Sequence, residues 1–332
     1  MRVLVSGGAG FIGSHLVDKL LALGHDVKVI DDLSTGREKN LTLAKSRPNF
    51  RFINKSINED ISSEFENIDW VFHLAGLADI VPSIEKPLPY HKSNVDGTVA
   101  VLNEAKLSGV KKLVYAASSS CYGIPSELPT TESARCEPKY PYALTKYIGE
   151  QYVMAWNKYY DLPTIALRLF NVYGPRSRTS GTYGAVMGAF LAQKLNGLPF
   201  TRVGDGNQKR DFVYVSDVVD AFIRAAESSI SGEIINIGRG VPRSINELIY
   251  ILGGPKAKIA DIPKRPGEPN MTWADIHRAK HLLGWEPKVT LEEGVAELLK
   301  HIDDYKDAPL WTPEKIDEAT KEWFRYLGDK EK

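Results

Sequence analysis

Directly after the apolar run "RVLVS" the chain reads "GGAGFIG", and no other stretch restricts its fold as much. Gly7, Gly10 and Gly13 fall at three-residue spacing between a strand pattern and the helical pattern "FIGSHLVDKLLALG". Such a turn lets the backbone approach a pyrophosphate, whose charge the start of the following helix favours. One glycine alone would need no ligand, since a strand-to-helix turn often requires one on steric grounds. Three in this register point to a dinucleotide. About 20 residues further on, the run "DVKVID" ends at Asp31, a carboxylate that can accept both adenosine ribose hydroxyls. Asp32 follows, with no arginine beside it for a 2′-phosphate, so NAD is expected rather than NADP. The plainer role for Asp31 is to cap a turn.

Through about residue 170 short β-rich runs alternate with longer helical stretches, the pattern of βαβ units. The expected strands are "RVLVS", "DVKVID", "NFRFIN", "DWVFHLA", "KKLVYAAS" and "PTIALRLFN". Six strands with crossover helices predict an α/β fold, a Rossmann-like doubly wound parallel sheet, over residues 1–172. Beyond "NVYGPR" the elements shorten between Gly and Pro, predicting a smaller, loop-rich α/β lobe over 173–308 that supplies ligand contacts. Part of it, about 212–240, is free to return to the large domain. Residues 309–332 predict a C-terminal helical extension that starts at Thr312-Pro313 and carries Ile316, Ala319, Trp323 and Tyr326 at helical spacing.

The 332 residues carry a formal net charge of +0, which leaves no electrostatic footprint for nucleic acid or an anionic membrane. Two cysteines, Cys121 and Cys136, suit neither a disulfide framework nor a metal site, so reduced thiols and no metal are expected. With no signal-like or membrane-spanning run, the expectation is a cytoplasmic protein acting on a small molecule.

Tyr142 and Lys146 stand four apart in a helical stretch and share a face. A lysine cation beside a phenol favours the phenolate, a possible general base. The pair alone is common by chance, and a solvated surface pair would explain it equally well. Its distance behind the serine run "AASSSCYG" adds weight, because serine is a poor strand former and a run of three calls for a turn or a chemical role.

Taken in order, "GGAGFIG", "HLAG", "AASSSCYG", "PYALTK", "LRLFNVYGP" and "GDGNQKRDF" resemble the extended short-chain dehydrogenase/reductase family, and within it the nucleotide-sugar C4-epimerases, from residue 1 to about 305. The resemblance implies three catalytic residues. Ser118 would relay a proton between a sugar 4-hydroxyl and Tyr142, while Lys146 would hold the nicotinamide ribose and tune the phenol. It implies NAD contacts from Gly7, Gly10, Phe11, Ile12 and Gly13, from Asp31, Asp32, Ser34, Thr35 and Gly36, and from Ser56, Ile57, Leu74, Ala75, Gly76 and Asn94. Ser56 departs from the Asp that the family often places against adenine.

On the substrate side it implies Ser118, Ser119, Ser120 and Tyr142 at the sugar. Asn171, Arg210 and Arg265 would sit at a diphosphate and Glu268 at a uridine ribose, although surface salt bridges would explain the two arginines as well. Thr272 takes the position that closes over the C2 substituent, where a small residue leaves room for an N-acetyl group. Ser119 and Ser120 replace the Asp-Glu pair of related 4,6-dehydratases, and neutral hydroxyls cannot supply the acid/base capacity that dehydration demands. The implied activity is NAD-dependent C4 inversion of UDP-Glc/UDP-Gal and of UDP-GlcNAc/UDP-GalNAc. Other family chemistry, 4,6-dehydration or 4-reduction, and a noncatalytic NAD sensor are the alternatives. A homodimer is expected through helices at about 91–108 and 140–160, whose aromatic residues could equally be internal core.

Overall fold

In the computed structural model of the chain, residues 1–177 and 186–328 are described; positions 329–332 of the expected extension and 178–185 of the expected lobe lie outside them. Seven strands form one parallel sheet: β1 (Arg2–Ser6), β2 (Asp26–Asp31), β3 (Phe50–Asn54), β4 (Trp70–His73), β5 (Lys112–Ser118), β6 (Thr164–Leu169) and β7 (Glu233–Ile237). Their order is β3-β2-β1-β4-β5-β6-β7, so the winding reverses between β1 and β4. Every pairing is parallel, from Arg2 opposite Asp26 to Ile237 opposite Leu169. The six expected strands appear within about two residues of their sequence limits. They are runs rich in Val, Ile and Leu because most are covered on both faces.

Helices cover the sheet. Those that matter for the site are α1 (Phe11–Ala22), α2 (Ile80–Glu85), α3 (Gly97–Leu107), α4 (Pro141–Tyr160), α5 (Val215–Glu227) and α6 (Pro313–Leu327). One face of the sheet packs Leu16, Val17 and Leu20 of α1 with Val218, Phe222 and Ala225 of α5. The other packs Val101, Leu102 and Ala105 of α3 with Val153 of α4. Between Pro87–His91 and α3, residues Lys92–Asp96 form a π turn rather than the unbroken helix that "YHKSNVDGTVAVLNEAKLSG" predicts. Tyr152 and Tyr159 of α4 are exposed, whereas Met154 and Trp156 pack partly against the core.

Two expectations need correction. The sheet has seven strands rather than six: "EIINI", within the stretch of about 212–240 free to return to the large domain, pairs with β6 at the sheet edge. The second lobe is also less loop-rich than its Gly and Pro content suggests. It has helices Val186–Leu195, Ile245–Gly253 and Leu291–Lys300, and its own core around Phe190, Phe200, Leu248 and Leu298. No helix among the described residues is long and apolar enough to cross a membrane.

Candidate functional site

All strands of the sheet point their carboxyl ends to one edge, and at the reversal between β1 and β4 that edge opens into a crevice. The glycine turn forms its floor. Gly7 has φ +75°, and a Cβ there would lie 2.6 Å from the Ala75 nitrogen. At Gly13 a Cβ would meet the Gly7 carbonyl oxygen at 2.2 Å, so α1 can start this close to β1 only without a side chain. Gly10 N–H donates to the Gly7 oxygen at 3.1 Å, and α1 begins at Phe11 with its first N–H groups at the crevice. This is a cradle suited to a pyrophosphate.

Asp31 ends β2. Its Oδ2 accepts the Ala9 N–H and its Oδ1 the Leu33 N–H, both at 2.9 Å. Burial raises its pKa while these two bonds oppose the rise. The turn-capping role is thus real, and a carboxylate with four lone-pair sites keeps capacity for a ribose as well. Asp32 accepts the Ser34 N–H, and Thr35 and Gly36 complete the same turn. Ser56 follows β3, where its hydroxyl accepts the Asn58 N–H. The Ile57 side chain is buried in the core with Leu4 and Ile30, which leaves its backbone, not its side chain, for any ligand.

Asn94 sits in the π turn. Its amide accepts the Leu77 N–H and donates to the Leu77 oxygen and to Thr145 Oγ, tying the β4 loop to α4. π turns often mark functional sites because they aim one residue out of helical register.

A cleft of about 510 Å³ continues from this edge toward the second lobe. Phe11, Ile12, Leu74 and Gly76 line one end, with Ser118, Ser119, Ser120, Tyr142 and Lys146 at the centre. The spacing argument therefore brings its three central residues together. Ser118 closes β5, where its Oγ accepts the Ser120 N–H at 3.2 Å and hydrogen-bonds the Ser120 hydroxyl at 2.8 Å. The Tyr142 hydroxyl donates to Ser118 Oγ at 3.3 Å. Pro141 opens α4, and Ser83 of α2 accepts the Tyr142 N–H at 3.1 Å.

The electrostatics differ from the expectation that Lys146 eases ionisation of the phenol. Burial pushes the Tyr142 pKa up, and only the Ser118 hydrogen bond pulls it down. Lys146 is itself pushed down to about 7 by burial, with the Glu150 charge opposing. Its Nζ lies 4.2 Å above the centre of the Tyr115 ring.

Toward the second lobe the cleft is lined by Asn171, Arg210, Arg265, Glu268 and Thr272. Glu268 bridges the two arginines, with carboxylate oxygens 3.6 Å from Arg210 and 3.1 Å from Arg265. Thr272 donates to Asn171 Oδ1 at 2.9 Å and accepts the Asp211 N–H. Two planar guanidinium groups facing one cleft suit a diphosphate.

Sequence reasoning passed over three features. Tyr140 stacks on Tyr142 at 6.3 Å and lines the cleft, though only its place beside the Tyr142 motif hinted at it. Glu150 and Arg168 form a buried bidentate ion pair at 2.7 and 2.8 Å that joins α4 to β6. Trp323 of α6, to which no function was assigned, is also part of the cleft wall.

The chain is similar to known proteins over most of its length. The chain is 40% identical over 309 residues to a UDP-glucose 4-epimerase of Mycolicibacterium smegmatis, covering 90% of this chain and 98% of that one. Among solved structures it is similar to a UDP-N-acetylglucosamine 4-epimerase of Methanobrevibacter ruminantium, with TM-score 0.85, 34% identity, and 90% and 98% of the two chains covered. A UDP-glucuronic acid 4-epimerase of Bacillus cereus, solved with UDP-glucuronic acid and NAD, gives TM-score 0.85 and 35% identity over 92% and 99%. The family profile described as NAD dependent epimerase/dehydratase matches residues 3–238. With the glycine cradle, Asp31 and the Ser118–Tyr142 pair in place, the chain belongs to the NAD-dependent epimerase/dehydratase family.

Proposed function

We propose that this protein inverts the C4 hydroxyl of a UDP-hexose through a transient 4-keto sugar, acting on UDP-Glc/UDP-Gal and on UDP-GlcNAc/UDP-GalNAc. The observation that carries this reading is the Tyr142–Ser118 hydrogen bond at the centre of a cleft with a dinucleotide cradle at one end and an arginine pair at the other. Bound NAD supplies the hydride acceptor and donor. Ser118 and Tyr142 remove the proton from the sugar O4 and return it, and Lys146 holds the nicotinamide ribose. Asn171, Arg210 and Arg265 bind the diphosphate and Glu268 the uridine ribose. Binding energy placed there leaves the hexose loosely held, as a ring that must present both faces requires.

The groups next to Ser118 favour inversion over dehydration. Ser119 and Ser120 are neutral, and the Ser120 hydroxyl is engaged with Ser118. Thr272, bonded to Asn171, presents a short side chain where an N-acetyl group would pass. The test is incubation with UDP-Gal, UDP-GalNAc and the corresponding uronic acids without added NAD, with products read by NMR. Inversion at C4 of the first two is expected; a 4-keto-6-deoxy product, or turnover only with stoichiometric reduced cofactor, would overturn the reading.

A further inference from the structure

The final helix lies beyond the stretch that resembles the family, yet it reaches the substrate end of the cleft. Ile316, near its start, is buried against Ala189, Val203 and Ile262 of the second lobe. The helix also packs against α2, which follows the β4 loop. Trp323 is 1% exposed, though it stands ten residues after the first residue of the helix. Its indole N–H donates to the Pro266 oxygen at 2.8 Å. The ring centroid lies 5.3 Å from the Arg265 guanidinium and 6.4 Å from the Tyr140 ring, which in turn stacks on Tyr142.

A guanidinium at the face of an indole is attracted by the ring quadrupole, and its plane is restricted. The Pro266 bond fixes the loop that carries Arg265 and Glu268. Both contacts act on the groups assigned to the diphosphate and ribose, and neither touches Ser118 or Lys146. We infer that Trp323 is a positioning residue of the substrate site, holding Arg265 and the 265–268 loop toward a nucleoside diphosphate. This inference rests on the functional reading above. The C-terminal helix is then a working wall of the site rather than an appendage.

The experiment compares the wild-type chain with Trp323→Ala, Trp323→Phe and Tyr326→Ala, the last an exposed residue of the same helix. UDP and NAD affinities are measured by calorimetry, and KM and kcat on the best UDP-hexose. Loss of a desolvated cation–π contact and an anchoring hydrogen bond predicts about a tenfold rise in UDP Kd and in KM for Trp323→Ala. NAD affinity stays unchanged and kcat remains within about twofold, a split that general destabilisation would not produce. Trp323→Phe keeps a ring but no N–H donor and recovers part of the affinity, to about threefold weaker than wild type. Tyr326→Ala binds as wild type does. If Trp323→Ala does not fold, Trp323→Phe decides the matter: weaker UDP binding at unchanged NAD affinity supports the inference. Wild-type UDP affinity in either Trp323 variant, or an equal loss of NAD affinity, would overturn it. Failure of the wild-type chain to bind UDP would instead bring down the functional reading itself.

Discussion

Tyr142 shows how far a motif goes. Its spacing from Ser118 and Lys146 is legible because strand β5 and helix α4 follow from local pattern, and the βαβ connection then sets them side by side. Its ionisation is not legible. That depends on burial, which pushes the pKa up, and on the Ser118 hydrogen bond, which opposes it; likewise Tyr115, in the interior of β5, carries no sequence mark of its place beneath Lys146. Replacing Tyr142 with Phe removes the hydroxyl proposed to take the O4 proton and is expected to lower kcat by about 10²–10⁴-fold with NAD affinity retained, checked by NMR turnover and calorimetry. Lys146 gives a pH signature. Its folded pKa of about 7 lies below the ordinary lysine value of 10.5, so between these the unfolded chain holds a proton that the folded chain lacks. Stability from this residue therefore grows as pH rises through that window and is lost as pH falls toward 7. In cofactor-free protein Lys146→Met is expected to be more stable than wild type at pH 7, with the gap closing by pH 10, measured by urea unfolding.

At the scale of elements, the ion pair between Glu150 and Arg168 fixes α4 against β6 one helical turn beyond Lys146. Both side chains are buried, at 1% and 3% exposure, and Arg168 also lies over the Tyr122 ring and donates to the Glu132 oxygen. Arg168→Met leaves a buried carboxylate without its partner and is expected to destabilise the fold by about 3–5 kcal/mol in urea unfolding. Nothing in the sequence pairs these two: 18 residues separate them, and only the packed sheet brings them together. The same limit left the place of β7 open. "EIINI" is an ordinary short strand whose partner, β6, lies far back in the chain, so local pattern shows that a strand is possible but not which sheet receives it. The six earlier strands were readable because each is followed by its own crossover.

The whole molecule is held at its centre by a residue that should make it acid-sensitive. His73 is fully buried at the end of β4, bonded to Ser6 at 2.7 Å and Thr98 at 2.9 Å, and burial together with the Lys146 charge pushes its pKa down to about 3. Unfolding lets it take up a proton near its ordinary value of 6.5. Stability should thus decline as pH falls from about 6.5 toward 3, and His73→Asn should flatten that slope in thermal melts across the range. The two lobes, joined across the cleft by α6, have a further consequence that concerns light. Of the six tryptophans in the chain, Trp323 is the one that lines the cleft among the described residues. A nucleotide arriving there would change the surroundings of this indole directly, whereas none of the other five lines the cleft among the described residues. UDP should quench a fraction of the intrinsic emission, and Trp323→Phe should abolish that response. The protein thus carries its own unlabelled optical sensor of substrate entry, suited to stopped-flow timing of binding before any chemistry begins.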